Sequence, residues 1–353
     1  MSKTLPEGFP RSTTTIVRSR APLRISFCGG GTDVSPYPER FGGVVLSCTI
    51  DKYAFVSLRA QDALHTTVTS QDLGVQAQFD PHDRSALSGK IDLAEAIVRR
   101  FGASGLECYL QSDAPPGSGL GSSSAMIVAL IAALAQHHGL HLTPYEVAEL
   151  AVQIEREDLG IAGGLQDQFA AAHGGFNLIE FNADGTILTP LRIRDDVLAE
   201  LHLHLLLCST GGTRFSANIL AEQIDGVERD DARVLGALHQ MKRLTYDLKT
   251  ALLRGRIAEF GSILDAAWNL KRTLASGISN RQIEEVYGAA KRAGAIGGKL
   301  LGAGGGGYML FCVPFSKRST VRAALETLGA PAVDFQFDFS GAITWATLPD
   351  TWT

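Results

Sequence analysis

Between Pro115 and Ala135 the chain reads PPGSGLGSSSAMIVALIAALA. Pro116, Gly117, Ser118, Gly119, Leu120 and Gly121 form a loop almost without side chains, and Ser122, Ser123 and Ser124 open a long apolar helix. Such a loop lets backbone N–H groups approach an anion closely. The helix N-terminus behind it adds unpaired donors and the positive end of a dipole. The serine hydroxyls can cap the helix or reach a metal bound to phosphate. The predicted ligand is a phosphate chain, with a nucleotide triphosphate as its source, and a side chain at Gly119 should block it. Two other phosphate motifs do not fit. A P-loop needs Gly-Lys-Ser/Thr, and no lysine is present. A dinucleotide fingerprint needs G-x-G-x-x-G, whereas the spacing here is G-x-G-x-G.

Three more segments carry groups able to do chemistry. Residues 22–33 (PLRISFCGGGTD) place an arginine on a strand and an aspartate on a loop. Residues 155–168 (EREDLGIAGGLQDQ) hold carboxylates around a glycine break, and residues 299–307 (KLLGAGGGG) form a second glycine loop. A fourth candidate is Ser209–Arg214: Gly211 and Gly212 expose N–H groups, and Arg214 can grip a phosphate bidentately. Lys299 is another candidate cation. His137 and His138 end a helix and read as dipole partners rather than ligands.

The elements that must position these groups follow from pattern. Residues 20–28 and 44–58 read as strands, and 65–79 as a strand pair turning near Gly74. Residues 93–101 read as a helix and 106–110 as a half-buried strand. Thr143-Pro144-Tyr145-Glu146 is a capping box opening a helix to about Leu159. Residues 165–172 follow the glycine break. Further on, 203–208 reads as a strand, 217–253 and 257–270 as long helices, and 280–293 as another. Residues 308–313 and 342–348 read as strands. These elements predict two domains, 15–195 and 196–353, suited to a length of 353 residues.

Composition excludes several partner classes. A net charge of −5 and a pI near 6.0 argue against a nucleic-acid surface. The longest apolar run, Ala125 to Ala135, is too short to span a membrane. With 45% hydrophobic residues and mean hydropathy +0.08, the chain reads as soluble and globular. The N-terminus has no apolar stretch of signal-peptide type. The five cysteines lie scattered in apolar segments without C-x-x-C spacing, which predicts buried thiols and a cytoplasmic setting. Oligomeric state is not written in the pattern, and a homodimer is compatible with it.

Taken together, the four glycine- and carboxylate-bearing segments resemble the GHMP small-molecule kinases, the superfamily of galactokinase, homoserine kinase, mevalonate kinase and phosphomevalonate kinase. The resemblance runs from Arg20 onward. It implies a two-domain α+β fold with nucleotide and substrate between the domains, ATP as phosphoryl donor and Mg²⁺ as its metal. Residues 21–26 (APLRIS), 29–33 (GGGTD), 50–53 (IDKY) and 163–168 (GGLQDQ) look most like the bacterial D-glycero-α-D-manno-heptose 7-phosphate 1-kinases. Such an enzyme phosphorylates the anomeric hydroxyl to give a 1,7-bisphosphate, on the way to nucleotide-activated heptose for surface polysaccharide. Fucose-type kinases share similar phrases, and a non-catalytic sugar-binding relative is the other alternative. Cys28 stands where many relatives have glycine. By the same resemblance Asp167 is the base and Arg24 its basic partner. Glu155, twelve positions before Asp167, would bind the metal with Ser123 or Ser124; Glu157 and Asp158 are neighbouring alternatives. Gly30, Gly31, Thr32, Asp33, Thr210, Gly211, Arg214, Lys299, Gly304 and Gly305 form the expected substrate set.

Overall fold

The computed structural model describes residues 15–83, 86–89, 91–211 and 217–348. The first half runs β1 (Ile16–Cys28), α1 (Tyr37–Phe41), β2 (Gly43–Ala60), β3 (Thr66–Ser70), β4 (Val75–Phe79), α2 (Asp92–Phe101) and β5 (Leu106–Ser112). It continues through α3 (Ser122–His137), α4 (Pro144–Val152), a π-helical turn (Gln153–Asp158), α5 (Gln166–His173), β6 (Phe176–Asn182) and β7 (Gly185–Pro190). The second half runs α6 (Asp195–His204), β8 (Leu205–Ser209), α7 (Ala217–Glu228), α8 (Ala232–Leu253), α9 (Ile257–Lys271) and α10 (Arg281–Ala293). β9 (Gly297–Leu300), β10 (Tyr308–Cys312), α11 (Arg318–Glu326), β11 (Ala332–Val333), β12 (Phe337–Asp338) and β13 (Ile343–Thr347) complete it.

The seven strands of the first half, with β12 and β13 from the second, build a nine-stranded sheet with the path β13-β1-β2-β5-β3-β4, on which β12 and β6 also pair with β2 and β7 pairs with β6. Its ladders are antiparallel except β3 with β5. The second sheet is β11-β8-β10-β9. α3 lies against β1 and β2; it is apolar nearly all round, and Ile127, Val128, Leu130 and Ile131 are fully buried. The predicted capping box at Thr143 forms, with Thr143 Oγ1 accepting from the Glu146 N–H. A second cluster, including Trp268, Phe311, Val286 and Leu325, fills the space around the smaller sheet.

Two expectations need correction. Residues 203–208 read as a strand, but α6 runs to His204 and the strand begins at Leu205. Helical spacing wins because Val197 and Leu201 face the core four residues apart. The division at residue 195 also does not hold to the C-terminus. β12 pairs with β2 and β13 with β1, so the end of the chain returns to the first sheet. No described helix is long and apolar enough to cross a membrane, and all five cysteines are buried thiols.

Candidate active site

β1 brings Arg24 to the site between two irregularities in its pairing with β2, at Pro22/Leu23 and Ser26/Cys28. Such bulges re-aim a side chain. Arg24 Nε and Nη2 donate to Asp167 Oδ1 and Oδ2, both at 2.7 Å. Its third nitrogen, Nη1, donates to the Gly119 carbonyl at 2.6 Å. The Arg24 backbone N–H donates to Leu120 O at 2.9 Å. One buried arginine therefore fixes the carboxylate and the phosphate loop in a single frame. Asp167 lies in the first turn of α5, where the helix dipole favours a negative charge.

The phosphate loop ends at Gly121, the N-cap of α3, whose φ of 76° is left-handed and which supplies no side-chain cap. The serines do other work. Ser122 Oγ donates to Pro115 O at 3.1 Å, and Ser124 Oγ to Glu155 Oε2 at 3.3 Å, while Ser123 is exposed. The first turn of α3 is thus left without a capping side chain, as an anion site requires. It opens beside the carboxylate: a Cβ on Gly121 would lie 3.2 Å from Asp167 Oδ2. Gly119 faces elsewhere. A Cβ there would sit 2.5 Å from Leu301 O, so this glycine serves the contact with the second loop rather than keeping ligand space open.

Glu155 stands on the π-helical turn, a distortion often found at functional sites. It is buried, and burial first of all raises its pKa, with the Asp167 charge adding to the rise. Gln168 Nε2 donates to its Oε2 at 2.5 Å. Glu157 and Asp158 are exposed, and Asp158 pairs with Arg100 at 3.5 Å, so of the three carboxylates Glu155 turns toward α3. Carboxylate and hydroxyl oxygens suit Mg²⁺, which takes few protein ligands and keeps waters and phosphates for the rest. Among the described residues no three His, Cys, Asp or Glu side chains cluster into a fuller metal cage.

The loop of residues 29–33 is zipped to the segment carrying Asp167. Asp33 Oδ1 accepts from Gly31 N–H at 2.9 Å, and Oδ2 accepts from Gln166 Nε2 at 2.9 Å. A Cβ on Gly164 would fall 2.2 Å from Asp33 Oδ2. Gly30 lies beside Ser26 Oγ, a buried hydroxyl without a partner, and beside Gln166 Nε2: a Cβ there would stand 3.9 and 3.7 Å from them. Thr32 is placed differently from its expected role. It is fully buried, and its hydroxyl bridges Gly29 O at 2.8 Å and Val44 O at 2.9 Å.

The same correction applies across the second glycine loop. Lys299 is buried, not a surface cation, and its ammonium donates to Ser26 O at 2.6 Å. Burial and the neighbouring Lys271 push its pKa well down. Gly304 and Gly305 are buried against Ile278, whose carbonyl accepts from Gly305 N–H at 3.0 Å. Thr210 Oγ1 donates to Gly307 O at 2.9 Å. Gly211 is exposed. Gly212 and Arg214 lie outside the described residues.

Comparison with known proteins agrees with this geometry. The chain is 35% identical over 336 residues to the D-glycero-alpha-D-manno-heptose 7-phosphate kinase of Campylobacter jejuni, covering 93% of this chain and 98% of that one. Profiles of the GHMP kinases N terminal domain and of the GHMP kinases C terminal region match residues 90–175 and 248–331. The chain belongs to the GHMP kinase family. A crystal structure of a D-glycero-D-manno-heptose 1-phosphate kinase from Bacteroides thetaiotaomicron superposes with a TM-score of 0.78 at 32% identity, covering 93% of this chain and 98% of that one. The L-fucokinase/L-fucose-1-P guanylyltransferase of Bacteroides fragilis is 30% identical over 87% of this chain but only 35% of its own length. This GHMP kinase is a phosphotransferase of the sugar-kinase type with the family's two-domain α+β fold, and ATP is its phosphoryl donor. Pattern reading missed three polar residues of its site. Gln166 and Gln168 stood inside the quoted GGLQDQ phrase without a role, and Lys271 carried no local signal at all.

Proposed function

We propose that this kinase transfers the γ-phosphoryl group of ATP to the anomeric hydroxyl of D-glycero-D-manno-heptose 7-phosphate. The oxygen–phosphorus bond to the sugar forms as the bond to the β-phosphate oxygen breaks, giving the 1,7-bisphosphate and ADP. The observation that carries the reading is the uncapped start of α3 beside the Arg24–Asp167 pair. Phosphoryl transfer needs mainly positioning and charge stabilisation, and this frame supplies both. Asp167 orients the hydroxyl and takes its proton, while Arg24 holds the carboxylate. Ser124, Glu155 and exposed Ser123 would hold Mg²⁺, which neutralises charge on the phosphates when bound. Ser26 Oγ, orphaned beside Gly30, and Gln166 Oε1, also buried without a partner, favour a sugar with hydroxyls to satisfy them. Gly211, Gly212 and Arg214 are the proposed seat of the 7-phosphate. Such an enzyme would feed nucleotide-activated heptose synthesis in a reducing cytoplasm, in keeping with the five buried thiols.

A substrate panel tests this. Heptose 7-phosphate and heptose 1-phosphate give the same bisphosphate, so consumption of each must be followed separately, alongside L-fucose and mannose. The reading requires the 7-phosphate to have the highest kcat/KM. A preference for free L-fucose would favour the fucose-type alternative, and no turnover with any sugar would favour a binding protein.

A further inference from the structure

Lys271 is the last residue of α9 and is buried. Its ammonium donates to the Gly302 carbonyl. Gly302 rests directly on the phosphate loop: a Cβ there would lie 2.5 Å from Gly119 Cα. The Gly119 carbonyl accepts from Arg24, which holds Asp167. A continuous path of contacts therefore runs from α9, across both glycine loops, to the carboxylate. The same ammonium interacts electrostatically with Arg24, Asp33, Asp167 and Cys28, and also with Lys299. Arg24 and Lys271 face Asp33 and Asp167 in this seam, and Lys299 stands beside them with its charged form disfavoured by burial.

We propose that Lys271 is a positioning residue for phosphoryl transfer: in its charged form it locks the second glycine loop onto the first and so aligns the nucleotide phosphates with Asp167. A charge-assisted bond to Gly302 is roughly twice as strong as a neutral one, so loss of the proton loosens the lock without removing the side chain.

Titration makes this visible. Burial, aided by the Arg24 charge and opposed by Asp33 and Asp167, pushes Lys271 down to about 8. Charged Lys271 is lost as pH rises through that value, so kcat falls there. Stability moves the other way. With a folded pKa below the unfolded one, the unfolded chain binds more protons between about 8 and the usual lysine value. Lys271 therefore makes folding more favourable as pH rises across that window. A lysine serving only the fold would show the stability change without the loss of rate.

The test is the pH profile of kcat with saturating ATP and whichever sugar of the panel is turned over. The wild type should show an alkaline limb near pH 8. Lys271→Arg, which stays charged throughout, should keep activity at neutral pH and lose that limb. Lys271→Met should lower kcat by about 10²-fold, the scale of a small misalignment, with KM for ATP changed far less. A folded Lys271→Met with more than half the wild-type kcat would overturn the proposal. So would a wild type without the limb, an unshifted limb in Lys271→Arg, or Lys271→Arg as inactive as Lys271→Met. Should the methionine variant fail to fold, the arginine variant alone decides.

Discussion

The two glycine loops look alike in sequence and differ in what a side chain on them would strike. In the first, Pro116, Gly117 and Ser123 are exposed, and a Cβ on Gly121 would meet the Asp167 carboxylate at 3.2 Å. In the second, residues 304–307 are buried, and a Cβ on Gly307 would fall 2.2 Å from the Ser118 carbonyl. Tyr308 N–H also donates to Ser118 O at 3.1 Å. The first loop opens toward the Asp167 carboxylate, and the second is the backing that holds it in place. Glycine density marks both equally; the object beside the missing Cβ separates them.

The largest expected effect lies on the ligand-facing side. If Asp167 is the base, as proposed, Asp167→Asn removes a group that contributes about 10²–10⁴ in rate. We expect kcat to fall by that range and nucleotide affinity, measured by calorimetry, to change little, because the α3 N-terminus is untouched. A variant with more than half the wild-type kcat would remove Asp167 from the chemistry.

Next comes a pair of substitutions that share one strain. Gly121 and Gly307 have φ of 76° and 106°, so alanine is strained at both. Gly307→Ala adds a collision with backbone that cannot swing away. Together these should cost on the order of 3 kcal/mol of stability, read as a lowered Tm, with kcat per folded molecule nearly intact. Gly121→Ala meets side-chain atoms of Asp167 and Arg24 at 3.2–3.4 Å. It should displace the base, so kcat should fall more than Tm. The reverse pattern would dissolve the distinction between a ligand-facing loop and a backing loop.

Much of this architecture was legible because its signals are local. The glycine loop ahead of α3, the capping box at Thr143 and the glycine break before Asp167 each lie within a few residues, and each stands where expected. What the pattern could not show is set by distant partners. Lys271 meets Gly302 31 positions away, and Lys299 reaches Ser26 across 273. A lysine beside a glycine loop reads as an anion ligand until the fold shows that carbonyls surround it. Among the three carboxylates after α4 only the family resemblance singled out Glu155, with Glu157 and Asp158 as alternatives; the π-helical turn is what brings Glu155 to Ser124. Thr32 and Asp33 are adjacent in sequence and have different duties, since one hydroxyl closes its own turn while the carboxylate clamps Gln166. The return of β12 and β13 to the first sheet is a choice of edge that no short motif records.

The smallest effect probes the backing loop at its outer contact. Thr210 is 2% exposed, and its hydroxyl both donates to Gly307 O and accepts from Gly307 N–H, at 2.9 and 3.1 Å. Valine has the same shape without the hydroxyl. Thr210→Val leaves the Gly307 N–H without that acceptor in a buried place, at a cost of about 1–3 kcal/mol. If the second loop is backing, Tm falls and KM for the sugar stays within about twofold of wild type, a change well under 1 kcal/mol. If Thr210 instead grips the substrate, loss of a bond to a charged group worth about 1.5–3 kcal/mol raises KM at least tenfold. A tenfold rise in KM at unchanged Tm would return Thr210 to the substrate site. The second glycine loop would then face a ligand as directly as the first.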